Sequence, residues 1–162
     1  MRQLLRLVFV FFVFAPLAMA QGKVDSQWNC PKATVAHNLD VGDRPNHSYT
    51  ISQGTCTAAK SEIEGVKEKE GASTQFSEAS GSSNNWHGVF IVTMENGDKL
   101  HYSYSGKGTA KDGQLQSGTN SWSIVAGTGK FKGAKGKGTC TGNGNADGSA
   151  VWDCTGTYTL AK

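Results

Sequence analysis

The chain has 162 residues, with 16 Lys and Arg against 13 Asp and Glu, a formal charge of +3 at pH 7. Residues 1–20 carry two of the basic side chains and none of the acidic ones, which leaves 14 against 13, or +1, beyond Ala20. So even a balance argues against a protein that holds nucleic acid on a basic surface.

The first segment, MRQLLRLVFVFFVFAPLAMA, has a positive start at Arg2 and Arg6, an apolar run from Leu7 to Phe14, and the small-x-small site Ala18-Met19-Ala20. This is the pattern of a cleaved secretory signal peptide, and the apolar run is too short for a comfortable membrane span. Residue 21 is Gln and not Cys, so no lipid anchor is expected. Secretion, or export to a periplasm, is the expectation, with no membrane insertion after cleavage. The remaining residues, 21–162, are of a length for one domain.

Four cysteines follow: Cys30, Cys56, Cys140 and Cys154. An even count in an exported chain reads as two disulfides, and no C-x₂-C spacing suggests zinc. Three connectivities exist. Cys30–Cys56 and Cys140–Cys154 are favoured because each pair is close in sequence and joins candidate adjacent strands.

Turn residues recur at short intervals between alternating stretches, and no helical period is sustained. That pattern predicts an all-β, antiparallel barrel or sandwich. NHSYTISQGTCTA reads as a strand. SEIEGVKEKEGASTQFSEASGSS alternates Glu with Lys, is interrupted by Gly65 and Gly71, and reads as two exposed strands with a turn near Gly71. HGVFIVTMENGDKLHYSYSG is the clearest hairpin. Asn96-Gly97 signals a two-residue type I′ turn, which sets Met94 opposite Lys99, Thr93 opposite Leu100, Ile91 opposite Tyr102 and Val89 opposite Tyr104. One face of this pair is then apolar and aromatic. SGTNSWSIVAG is a further strand with Trp122, Ile124 and Ala126 on one side. A last hairpin sets Cys140 opposite Cys154 around a loop at Asn145–Ser149, with Trp152, Cys154, Tyr158 and Leu160 on one face.

GTGKFKGAKGKGT, residues 127–139, invites a phosphate-loop reading that fails. In G-x-x-x-x-G-K-[ST] a glycine stands five positions before Gly-Lys; here Ile124 and Phe131 stand there, and Ser or Thr follows neither lysine. The stretch reads better as a structural turn, with Phe131 as a buried plug, glycines at positive φ, and Lys130, Lys132, Lys135 and Lys137 pointing to solvent. No nucleotide, metal or other cofactor is expected.

SWSIVAGTGKFKGAKGKGT resembles the strand–turn–strand signature GTGxFxGAxG of the allene oxide cyclase and dirigent barrel superfamily, and VTMENGDKLHYSYSG with DGQLQSG resembles its preceding hairpin. The resemblance covers roughly Val89 to Leu160. It implies a closed antiparallel barrel of about eight strands with a lumen for an apolar small molecule. It also implies either a cyclase-type isomerase or a non-enzymatic binder; a barrel filled with side chains would make the chain a structural or partner-binding domain instead. The cyclases use an acidic residue on their first strand. KATVAHNLD, taken as that strand, has no Glu and only Asp40 at its end, so no catalytic residue transfers and binding is placed ahead of catalysis. The expected lumen lining is Val89, Ile91, Leu100, Tyr102 and Tyr104. His101 is a weaker candidate for a lumen acid or base. Asp40, Asp43 and Arg44 read as a loop ion-pair cluster, and Asn46-His47-Ser48 as a glycosylation sequon. An oligomer is compatible with all of this.

Overall fold

The computed structural model describes residues 21–111 and 113–161; the signal-peptide reading of residues 1–20 lies outside them. Ten strands follow in chain order: β1 (Gln21–Cys30), β2 (Val35–Asp40), β3 (His47–Lys60), β4 (Glu62–Ile63), β5 (Val66–Ser80), β6 (Ser83–Met94), β7 (Lys99–Lys111), β8 (Gln114–Gly127), β9 (Lys135–Gly144) and β10 (Ala150–Thr159). Every pairing is antiparallel, in the order β2-β3-β1-β10-β9-β8-β7-β6-β5-β4. An additional β3–β5 ladder closes β1, β3 and β5–β10 into an eight-stranded barrel. The short β2 and β4 lie outside that ring. Both expected disulfides are present, Cys30–Cys56 and Cys140–Cys154.

Side chains alternate in and out along each strand, as the two-residue period requires. Inward aromatics sit over inward glycines of neighbouring strands. A Cβ at Gly138 or Gly156 would collide with the Trp122 indole, and one at Gly142 with Trp152. One end of the barrel is packed solid by Phe131, Ile63, Met94, Leu100 and Val92, each under 2% exposed. Burying side chains of this size contributes about 1.5–3 kcal/mol apiece. Phe131 belongs to a single 3-10 turn, Gly129–Phe131, between β8 and β9, so the plug expected from the sequence is in place. Gly129 and Gly133 have positive φ, whereas Gly127 does not; there, a side chain would strike the Phe131 carbonyl.

Four expectations need correction. The β6–β7 turn is one residue longer than a type I′ turn: the Met94 amide donates to the Asp98 carbonyl at 2.9 Å, and only Gly97 has positive φ. This three-residue loop with a left-handed glycine is the next commonest hairpin connection. It moves the register by one, so Thr93 pairs with Lys99, Val92 with Leu100 and Phe90 with Tyr102. A one-residue slip turns a whole strand over. Phe90, Val92 and Met94 therefore join Leu100, Tyr102 and Tyr104 inside, while Val89 and Ile91 face outward. Second, β5 runs unbroken through Gly71, and the turns lie at Glu64-Gly65 and Gly81-Ser82. Third, the first strand is β1, which precedes KATVAHNLD. A register shift in the β7–β8 ladder also leaves Ala126 exposed, off the face of Trp122 and Ile124.

Candidate functional site in the barrel lumen

Above the solid end the barrel holds a cavity of about 260 Å³. Its walls are mostly apolar and aromatic: Val24, Trp28, Phe90, Val92, Tyr102, Tyr104, Trp122 and Trp152, with both disulfides. Toward the rim it is bordered by Pro31, Ala33, Gly54, Gly148 and Leu115. Trp28 meets Phe90 edge-on at 4.9 Å, and Tyr102 meets Trp122 edge-on at 5.6 Å, geometries that aromatic quadrupoles favour.

One lining residue is a carboxylic acid. Glu68 is only 5% exposed, although it belongs to a run of alternating Glu and Lys. A bulge explains this. In the β5–β6 ladder Glu70 pairs with Thr93 and Glu68 with Met94, so Lys69 is an extra residue. Above it, Gly71, Ser73, Gln75 and Ser77 point inward and Phe76 outward; below it the parity reverses and Glu68 enters the barrel. Bulges re-aim side chains in this way, often beside functional sites.

Glu68 Oε1 accepts a hydrogen bond from the Tyr102 hydroxyl at 3.0 Å, and Oε2 accepts one from Ser61 Oγ. Burial pushes the carboxyl above its ordinary range, and the two hydroxyl donors only partly offset it. Burial likewise raises the Tyr102 phenol, helped by the Glu68 charge, and moves Tyr104 up to about 12. Both tyrosines therefore stay protonated and act as donors. The Tyr104 hydroxyl donates to Gln75 Oε1 at 3.1 Å. The Trp122 indole N–H is buried with no acceptor among the described residues. Among the described residues no Lys, Arg or His lines the cavity.

Of the five residues expected to line the lumen, Tyr102 and Tyr104 do so. Leu100 points inward but is fully buried in the packed end, and Val89, 47% exposed, and Ile91 lie on the outer wall. Their places are taken by Phe90 and Val92. His101 pairs with Ile91 on the outer face and does not reach the lumen. Glu68 went unnoticed because strict alternation placed the acidic run in solvent, and the sequence carries no plain mark of the bulge.

A second polar cluster sits at the β2–β3 corner, outside the lumen. Asp43 pairs with Arg44 at 2.7 Å, as the loop ion-pair reading expected. His47, missed in that reading, is buried between two carboxylates: Nδ1 lies 2.5 Å from Asp43 Oδ1 and Nε2 lies 3.0 Å from Glu78 Oε1. The Asp43 hydrogen bond raises the imidazole pKa and Glu78 adds to it, while burial and Arg44 oppose. Asn46, of the sequon, is exposed in the adjoining turn. The four lysines of the glycine-rich stretch are exposed, but Lys130 is not idle: its Nζ donates to the Glu64 carbonyl at 2.5 Å.

No protein-family profile and no curated protein sequence matches the chain. Solved structures do. The barrel superposes on two pterocarpan synthase dirigent proteins, GePTS1 and PsPTS1, with TM-scores of 0.52 and 0.51, each at 14% identity. The alignments cover 97% and 92% of this chain, and 98% and 99% of theirs. The fold is thus a dirigent-like β-barrel, and at this identity the likeness concerns the fold alone.

Proposed function

We propose that this is an exported barrel that binds an apolar, uncharged small molecule in its lumen. The observation that carries the reading is the cavity itself: about 260 Å³, walled by aromatic side chains and provided with a few converging polar groups. Ligand sites have this composition. Among the described residues the lining lacks any cation to pair with a carboxylate. The aromatic faces supply contact area for such a ligand. The two disulfides accord with an oxidising compartment, as does the signal-like N-terminus.

Glu68 favours a second reading, an isomerase of cyclase type. A carboxyl with a raised pKa in an apolar lumen is placed to donate or remove a proton. Thermal-shift screening of neutral phenolics and fatty acids tests binding, because a ligand of the native state raises the melting temperature. Phenolics or fatty alcohols are expected to shift it and fatty-acid anions are not. If no compound does, or if Ser73→Trp fills the lumen and leaves the shift intact, the reading of a lumen site is wrong. Turnover of a bound compound that Glu68→Gln abolishes without loss of binding would promote the enzyme reading.

A further inference from the structure

β1 and β2 run along the same edge of β3, Asn29 pairing with Thr57 and Val35 with Gln53. On its other side β1 is covered along its whole length by β10, whose ladder ends where Ala150 meets Cys30. Beyond that point β2 has no second neighbour among the described residues. The Val41 amide donates to the His47 carbonyl at 3.0 Å. Alternation along an antiparallel ladder then turns the backbone groups of Val35, His37 and Leu39 toward β3, and those of Ala36, Asn38 and Asp40 toward the open edge.

An open edge is a template for another strand, and chains normally blunt it with Lys, Pro or inward charges. Val35–Asp40 reads VAHNLD, with Asp40 as its one formal charge. Val35 is 44% exposed, Leu39 68% and Val41 40%, all on the outer face at a spacing of two. We propose that this edge is the interface of a homodimer, in which β2 pairs antiparallel with β2 of a second copy about a two-fold axis at Asn38.

Self-pairing is what the strand's own chemistry fits. Only residues with outward backbone groups can bond across the seam, and centring on Asn38 matches Ala36 to Asp40 and Asn38 to itself. Asp40 then faces Ala36 of the second copy and no like charge. On the outer face Val35 lies beside Val41 of the second copy, and His37 beside Leu39, so the three exposed apolar side chains gain apolar or aromatic neighbours. A balance of 14 basic against 13 acidic side chains beyond Ala20 offers little repulsion between copies.

Sedimentation equilibrium over a range of concentrations tests the proposal. The protein is expected to reach twice its chain mass at tens of micromolar. Ala36→Pro removes an outward N–H that β3 does not use, a place where edge strands accept proline. Leu39→Lys puts charge into the seam. Each is expected to raise the dimer dissociation constant about tenfold or more with the melting temperature retained, while Val125→Lys on another strand is without effect. If either variant fails to fold, Asn38→Cys replaces it: the two copies of residue 38 meet at the axis, so the introduced thiols crosslink under mild oxidation. A monomer at all concentrations overturns the proposal. So does a dimer unaffected by Ala36→Pro, an Asn38→Cys variant that does not crosslink, or a monomer whose edge takes up only an added peptide of unrelated sequence.

Discussion

The Tyr102 hydroxyl on β7 donates to Glu68 on β5 at 3.0 Å, past the one intervening strand, β6. Two polar groups therefore meet on the wall of a largely apolar cavity, each shifted toward its protonated form by burial. Glu68 is the group whose titration should be felt by the whole fold.

Its folded-state pKa is raised, so its favourable contribution is complete below the unfolded value of about 4.3 and is lost as pH rises through the folded value. Glu68→Gln keeps an acceptor for Tyr102 and cannot ionise. Its melting temperature relative to the native protein should rise on going from about pH 4 to pH 8. Thermal melts across that range check this; a difference that does not change with pH would show that Glu68 does not titrate as a buried acid.

His47 gives a separate pH dependence. Its imidazolium, held by Asp43 and Glu78, has a raised pKa. Stability from this cluster is complete below the ordinary histidine value of about 6.5 and is lost as pH rises through the folded value above it. His47→Gln should remove that decline on the alkaline side. It should leave the Glu68-dependent change in place, since the two groups lie on different parts of the wall. Melting curves of the single and double variants separate them.

The turn after β8 is expected to tolerate loss of charge and not loss of glycine. Changing Lys130, Lys132, Lys135 and Lys137 to Ser should cost about 0.5 kcal/mol or less, as at other surface sites, with Lys130 and its bond to the Glu64 carbonyl responsible for most of it. Gly127→Val forces a side chain against the Phe131 carbonyl and should cost about 1–3 kcal/mol, as overpacking does. Urea unfolding at constant slope measures both, and a larger loss in the lysine variant would overturn the ranking.

Removing Cys140–Cys154 by paired alanine substitution should lower stability by about 3 kcal/mol on the chain-entropy account, for a sequence separation of 14. The separation of 26 at Cys30–Cys56 should make that loss slightly larger, since the entropy grows with the logarithm of loop length. Denaturant titration of the two paired variants compares them. Peptide mapping without reduction checks both linkages.

Much of the architecture was legible along the chain. Recurrent turn residues and two-residue alternation imply an antiparallel all-β fold, because a strand half-exposed to water must alternate. Cysteines close in sequence implied their partners, and the glycine-rich stretch around Phe131 announced a turn over a plug. Each of these is local, in that nearby residues set the geometry. Which side chains enter the lumen is decided elsewhere. One residue in the Glu95–Gly97 loop exchanged Val89 and Ile91 for Phe90 and Val92, and one bulge residue, Lys69, carried Glu68 from solvent into the cavity. Both shifts arise where a strand must match neighbours far away in sequence, and with a period of two a single extra residue inverts everything beyond it. Closure of the barrel by β3 and β5 fixes those counts, so the carboxyl that gives the lumen its chemistry becomes visible only in the tertiary structure.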